Sequence, residues 1–451
     1  MFKTLINAFK IKEVRNKLLF TLMMLVIIRL GCQISAPGVD QEYVSQFWTT
    51  LFSWGGAEGY VNAFTGGSLM TMSIFALNIT PYITSSIIMQ LMTIAIPKLE
   101  EMQKEGEDGR KKIAAISRYV TVGLAIVESA AMTISFGSQG MLEEYNVLNV
   151  LAVVCAMTAG STLLMWFGER INEKGVGNGI SIILAINIIS SFPQDVMTLY
   201  GKFIQGKTVA RAVLAAVIIL AVVIAMIVLV IYLSNGTRKI PVQYAKKVQG
   251  HNRMMGGNAS VIPVRVNTAG VIPVIFASSI LTFPIIITRM FAGDSVSGWW
   301  AEVLKYLDMG SWFSIDFNQS FVANLSQLKY TVGLIVYVVM VVFFAYFYTS
   351  ITFNPIEMAN NMKKQGGFIP GIRPGKPTSE YLNKVLNRII FIGAIGLIIV
   401  AVLPYIFNGV FGAQVSFGGT SIIIVVSVIV ETVKQVESQM LVRNYKGFLN
   451  D

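Results

Sequence analysis

Charge is scarce in this sequence: 13% of its 451 residues are Asp, Glu, Lys or Arg, against about 25% in soluble domains. That scarcity excludes a separate soluble domain of ordinary size. Histidine occurs once, at His251, so a histidine-based metal cluster cannot be assembled. Cysteine occurs twice, at Cys32 and Cys155, too few for a disulfide framework, and both read as packing residues. No Walker A loop, HExxH pair or nucleophile elbow is present. The run GVGNG at Gly175–Gly179 lacks both G-x-G-x-x-G spacing and a preceding strand. It reads as a tight cytoplasmic turn between two spans rather than a dinucleotide site.

What the sequence has is apolar length. Hydrophobic residues make up 54%, and a helical span needs about 20 mostly apolar residues. Ten segments qualify: Leu18–Ser35, Ile74–Ile96, Ile113–Phe136, Val147–Phe167, Asn178–Ser191, Ala212–Leu233, Ala269–Met290, Tyr330–Ile351, Ile389–Phe407 and Gly419–Val436. The fifth is short and glycine-led. Residues 1–17 are amphipathic and basic, and the run after them is too long for the apolar core of a signal peptide. They read as a retained interfacial helix.

The net charge of +11 reports orientation first. Lys and Arg collect on the N-terminal arm, after spans two, four, six and eight, and on the tail 439–451. Gln33–Ser73, Gly137–Asn146 and Asn408–Gly418 contain none. That bias places both termini in the cytoplasm, in keeping with an even span count. Lys202, Lys207 and Arg211, and Arg289, Lys305 and Lys329, run against it. Two cytoplasmic connections, 234–268 and 352–388, are longer and more basic than orientation requires. The second contains GGFIPGIRPGKP, stiffened by three prolines, and reads as a dock for an acidic partner.

A repeat is hinted at. Span two has Pro81 followed by SSII at Ser85–Ile88, and span seven has Pro273 followed by SSIL at Ser278–Leu281. Each is the second span of its half if ten divides as five plus five, an arrangement known from inverted-repeat transporters. Composition and topology alone favour an ion-coupled transporter. Such a protein needs a defined polar site, and the chain offers one deep carboxylate, Glu128, with no cluster around it. Glu128 fits an ion site and a structural hydrogen bond equally well. Arg29, near the outer end of span one, is placed to snorkel. A membrane enzyme would need a catalytic grouping that is missing.

Long stretches of the chain resemble the SecY family, channel-forming subunits of the bacterial Sec protein translocon. They are GGSLMTMSIFALNITPYITSSIIMQLM at Gly66–Met92, GERINEKGVGNGIS at Gly168–Ser181, VNTAGVIPVIFASSILTFP at Val266–Pro284, NPIEMANNMKKQGGFIPGIRPGKPT at Asn354–Thr378 and FGGTSIIIVVSVIVE at Phe417–Glu431. The resemblance implies an all-α polytopic membrane protein. Ten transmembrane helices would form two pseudo-symmetric, inverted five-helix halves, 18–200 and 201–438, around an hourglass pore. By motif position the pore ring is Ile79, Ile83, Ile180, Leu184, Ile275 and Leu403. A plug half-helix at about 62–73 includes Phe64, Thr65, Gly66, Gly67, Ser68, Leu69, Met70, Thr71 and Met72. A lateral gate is lined by Gln90, Glu128, Asn267 and Phe283. Lys246, Lys247, Arg253, Arg373 and Lys376 are expected to meet the ribosome and the motor ATPase SecA. The small membrane subunits SecE and SecG are the expected companions, and no cofactor is implied. The expected activity is passage of unfolded secretory polypeptides across the bacterial cytoplasmic (inner) membrane, with release of transmembrane segments sideways into lipid. The channel itself would be passive, driven by SecA or the ribosome and engaged by signal sequences.

Overall fold

In the computed structural model the described residues are 8–44, 46, 65–138, 140–205, 209–244, 259–292, 298–308, 312, 329–411 and 419–447. Each of the ten apolar segments lies in or overlaps a helix. These are α1 (Lys12–Gly31), α2 (Thr80–Ala95), α4 (Glu107–Ser138), α5 (Val147–Lys174), α6 (Gly179–Phe203), α7 (Val209–Asn235), α8 (Ile272–Ala292), α10 (Val332–Thr352), α12 (Lys376–Phe411) and α13 (Gly419–Gly447). Shorter helices among the described residues include α3 (Pro97–Lys104), α9 (Trp299–Leu307) and α11 (Pro355–Lys364). Among the described residues, six helices are long and apolar enough to cross a bilayer by length and composition alone. The pair α2 and α3, bent by 105°, makes a seventh. The chain is a multi-pass membrane protein.

The helix ends depart from the hydropathy reading for identifiable reasons. Span two does not start at Ile74. Residues 66–79 run as successive turns, with Met72 at φ 44° and Asn78 at φ 52°, a region that Asn tolerates better than most residues. The helix begins at Thr80, so Pro81 sits in its first turn, where its missing N–H is harmless. It starts the helix and does not kink it. Span five is 25 residues long, not the short segment its hydropathy shows, and runs through Pro193. Span nine is the apolar part of a 36-residue helix that starts at Lys376.

By internal packing the chain divides into two units. The first comprises 1–207, 284–304 and 413–451, and the second 208–283 and 305–412. The division falls inside α8, between Phe283 and Pro284. In the first unit α5 packs against α4, α6 and α1, α2 packs against α4, and α13 packs against α6. At one end of this unit Ala8, Val14, Val176 and Val436 cluster. There the Thr21 hydroxyl accepts from the Val176 amide at 3.1 Å, holding the bend between α5 and α6. Asn178 caps α6 by accepting from the amides of Ile180 and Ser181.

In the second unit α10, α11 and α7 pack on α12. The long connection 234–268 contains an antiparallel pair, β1 (Thr237–Tyr244) and β2 (Ala259–Arg265), in register from Thr237 opposite Arg265 to Gln243 opposite Ala259. A two-residue strand, β3 (Gly367–Phe368), joins the far end of β1. Pro241 lies before the residues that β3 pairs, where β1 is still an edge. Ile240, Val242 and Val264 point inward onto Leu382, Leu386 and Ile389 of α12, the period of two expected of a half-buried strand.

Candidate functional site

The turns 66–79 lie in the first unit, and a set of hydrogen bonds seats them there. The backbone of the segment exchanges bonds with the chain just after α1: Ala36 N–H donates to Met72 O at 2.9 Å, and Ile74 N–H donates to Ile34 O at 3.0 Å. The Thr71 hydroxyl donates to Cys32 O at 3.2 Å. Ser68, fully buried, donates to Thr65 O and Phe75 O and so folds the segment back on itself. Met72, Ala76 and Leu77 enter an apolar cluster with Ala125 and Met132 of α4 and Val153 and Met157 of α5.

The join between these turns and α2 is polar. Asn78 is buried, and its amide oxygen accepts from Nδ2 of Asn187 on α6 at 3.1 Å. Its carbonyl accepts from the Ser161 hydroxyl on α5 at 3.1 Å. These bonds bring the start of α2 to α6 one turn beyond Leu184. Arg29, which the sequence allowed to snorkel outward, instead donates to the carbonyl of Gly66 at 2.9 Å. Asn78 stands out in the sequence as one of the polar residues that punctuate span two; Ser161 and Asn187 do not. The available signal was a buried amide inside an apolar helix, ILAINIISS, a pattern that marks functional positions in membranes.

Of the ring candidates, Ile79 is fully buried at the N-cap of α2 and Ile83 is partly exposed one turn later, its amide donating to Ile79 O at 3.0 Å. Ile180 is half-exposed in the first turn of α6 and packs toward Gly168 of α5. Leu184 is buried, one turn further along. In the second unit Ile275 is the fourth residue of α8, as Ile83 is of α2, and both follow their helix's second-residue proline by two positions. Leu403 is half-buried in α12.

Among the gate candidates, Gln90 points along its own helix, with Nε2 reaching Ser86 Oγ at 3.5 Å. Glu128 is half-buried about two-thirds of the way along α4. Asn267 lies in the bend before α8, next to the backbone approach of Gly393 on α12. Phe283 is in α8, and its side chain lies outside the described residues. So do Phe64, Lys246, Lys247 and Arg253. Span two's Ser85 hydroxyl donates to Ser117 O on α4 at 2.7 Å, and Thr84 bonds back to Thr80 O at 3.0 Å. The polar residues of this span therefore tie it to its neighbour and to itself.

Arg373 is exposed on a tip held from below. Its carbonyl accepts from the Thr378 hydroxyl at 2.8 Å, and Ile369 beneath it is buried. Lys376, also exposed, starts α12.

Comparison with known proteins agrees with this architecture. The SecY family model matches residues 73–433. The chain is 41% identical to the protein translocase subunit SecY of Corynebacterium glutamicum, across 99% of each. It is 42% identical to that of Streptomyces coelicolor across the full length of both. Among solved structures it resembles a protein-conducting channel, with TM-score 0.58 and 17% identity, covering 94% of this chain and 92% of that one. It also resembles Sec61 in the canine ribosome–channel complex from the endoplasmic reticulum, with TM-score 0.57 and 16% identity over the same shares. At those identities the likeness is one of fold. The family match over most of the chain and the full-length relatives decide the identity: the chain belongs to the SecY family.

Proposed function

We infer that unfolded polypeptides cross a membrane through this chain, gripped by Ile79, Ile83, Ile180, Leu184, Ile275 and Leu403. The chain is a protein-conducting channel of the SecY family. The observation that carries the ring is the matched placement of Ile83 and Ile275, each two residues after the second-residue proline of its helix. Apolar side chains offer ions and water no hydrogen bonds, so a narrow apolar constriction dewets. They also make no strong contact with any one side chain, so every sequence can slide past.

The segment 65–72 acts as the plug, and Phe64 belongs with it. Gln90, Glu128, Asn267 and Phe283 line a lateral gate through which transmembrane segments leave for lipid. Polar contacts between helices in lipid contribute about 0.6–2 kcal/mol, weak enough for an intercalating signal sequence to separate. The channel works in a bacterial cytoplasmic membrane with both termini in the cytoplasm, beside SecE and SecG, and SecA or the ribosome supplies the driving force. The two halves divide at about residue 200. The test is reconstitution. With SecE and SecG in vesicles, and SecA and ATP outside, a secretory polypeptide should become protected from added protease. Absence of protection in a chain that inserts normally would remove the assignment.

Lys246, Lys247, Arg253, Arg373 and Lys376 dock the ribosome or SecA. Ribosomal RNA is a lattice of phosphates, so binding should fall steeply with salt. The pinned tip under Arg373 lowers the ordering cost of docking. Replacing Arg373 with Gln should weaken ribosome co-sedimentation and reduce the slope of log affinity against log salt by about 1. An unchanged slope would take Arg373 out of the interface.

A further inference from the structure

We propose that Arg29 is the latch that sets how easily the plug leaves its seat, with Asn187 and Asn78 as its second point. The inference rests on segment 65–72 being the plug. Arg29 stands on a stretch of α1 whose neighbours Val26, Ile27 and Leu30 are exposed apolar residues. A lone guanidinium there is costly unless it is satisfied. Among the described residues no carboxylate pairs with it, and its one hydrogen bond goes to the Gly66 carbonyl at 2.9 Å.

The approach at Gly66 is close. This glycine sits at φ +65°, and a methyl there would lie 2.6 Å from Arg29 Nη1 and 3.0 Å from Asn187 Cα. The plug's first turn therefore rests directly on the α6 backbone, with the guanidinium wedged beside it. Ser190, one turn from Asn187, also reaches the Gly66 carbonyl, at 3.5 Å. The second point lies beyond the plug, at the close of the turns 66–79, where Asn187 Nδ2 holds Asn78. Asn187 thus lies beneath the plug's first turn and beneath the turns that join the plug to α2, close to Gly66 by its backbone and holding Asn78 by its side chain.

The latch is poised and not locked. Asn187 Oδ1 is buried with no hydrogen-bond partner among the described residues, and an unmet buried acceptor weighs against the state that buries it. Lifting the plug exposes that oxygen to water and frees it to pair. It also strips Arg29 of the Gly66 carbonyl until water or the entering chain replaces it. Closing is favoured at Arg29 and opposed at Asn187, which leaves the balance near the point where a partner can tip it. A hydrogen bond from a charged group shifts such an equilibrium about tenfold or more.

The test uses the full chain with SecE and SecG in planar bilayers, reading ion conductance without substrate. Arg29→Gln should raise resting conductance about tenfold, and Arg29→Lys, which keeps a charged donor, should restore most of the seal. Both substitutions are then repeated in a chain lacking residues 65–72. If Arg29 acts through the plug, Arg29→Gln adds nothing there, because the partner is gone. An equal increase in the plug-deleted chain, or none in the intact chain, overturns the latch. Should the deletion itself leave resting conductance unchanged, the plug assignment fails instead, which separates the two failures. A helix-packing role for Arg29 would give the same loss with and without the plug and no recovery with Lys.

Discussion

Replacing Ile83 and Ile180 together with asparagine should raise ion leak through the idle channel about 30-fold. Both residues are partly exposed, so the exchange does not bury new amides, as it would at Ile79, which is fully buried. If each amide gives a passing ion or water about 1 kcal/mol of hydrogen bonding, two lower the barrier by about 2 kcal/mol, which is roughly 30-fold in rate. Exported cargo should broaden in parallel, since a hydrated constriction no longer favours the closed form. Conductance in planar bilayers reads the first effect, and export of a reporter with a weakened signal sequence reads the second. Leucine at the same two positions is the control, because it keeps the constriction dry. Asparagine variants as tight as that control would mean that these residues do not form the seal.

Gly160→Ala should unseat the turns 65–79. In an isolated helix this exchange is favourable by about 1 kcal/mol, so propensity alone predicts a more stable protein. Packing predicts the opposite. A Cβ at Gly160 would overlap the carbonyl oxygen of Ile74, with Ile74 Cγ2 2.7 Å away. The obstacle is backbone, which cannot rotate aside. The next residue, Ser161, holds Asn78, so a shift of α5 at Gly160 also pulls on the polar join. Overpacking of this kind costs about 1–3 kcal/mol, enough to outweigh the gain in propensity. Hydrogen exchange at the amides of Ile74, Ala76 and Asn78 should accelerate at least tenfold while α5 itself stays protected. Unchanged exchange at those amides would show that the segment is not held by α5.

How much of this was legible in the sequence differs from one element to the next. Where an apolar run is uninterrupted, as in Ala212–Leu233, hydropathy located the helix because lipid demands that every backbone group be satisfied within it. Span two starts later than hydropathy predicts because residues 74–79 are as apolar as a helix yet are fixed by long-range contacts. The bond between Asn78 and Asn187 crosses 109 positions, and no local pattern announces it. KIPVQ and VIPVR carry the alternation of the β1–β2 pair, but each is short and sits inside a long basic connection whose composition reads as loop. Ile83 and Ile275 were placed by motif alone; physical reasoning could not have told them from packing residues. Arg29 was visible as an anomaly, an arginine in a span, but its partner lay 37 residues away on a segment with no periodicity to trace.

The most direct measurement places a photoreactive residue at Ile83 or, separately, at Ile275, with a third probe at Leu220, an exposed position on α7. A secretory chain is stalled midway and the channel is illuminated. Adducts to the stalled chain from Ile83 and from Ile275, with none from Leu220, are the predicted result. Adducts from Leu220 alone, or none from either isoleucine, would contradict the account.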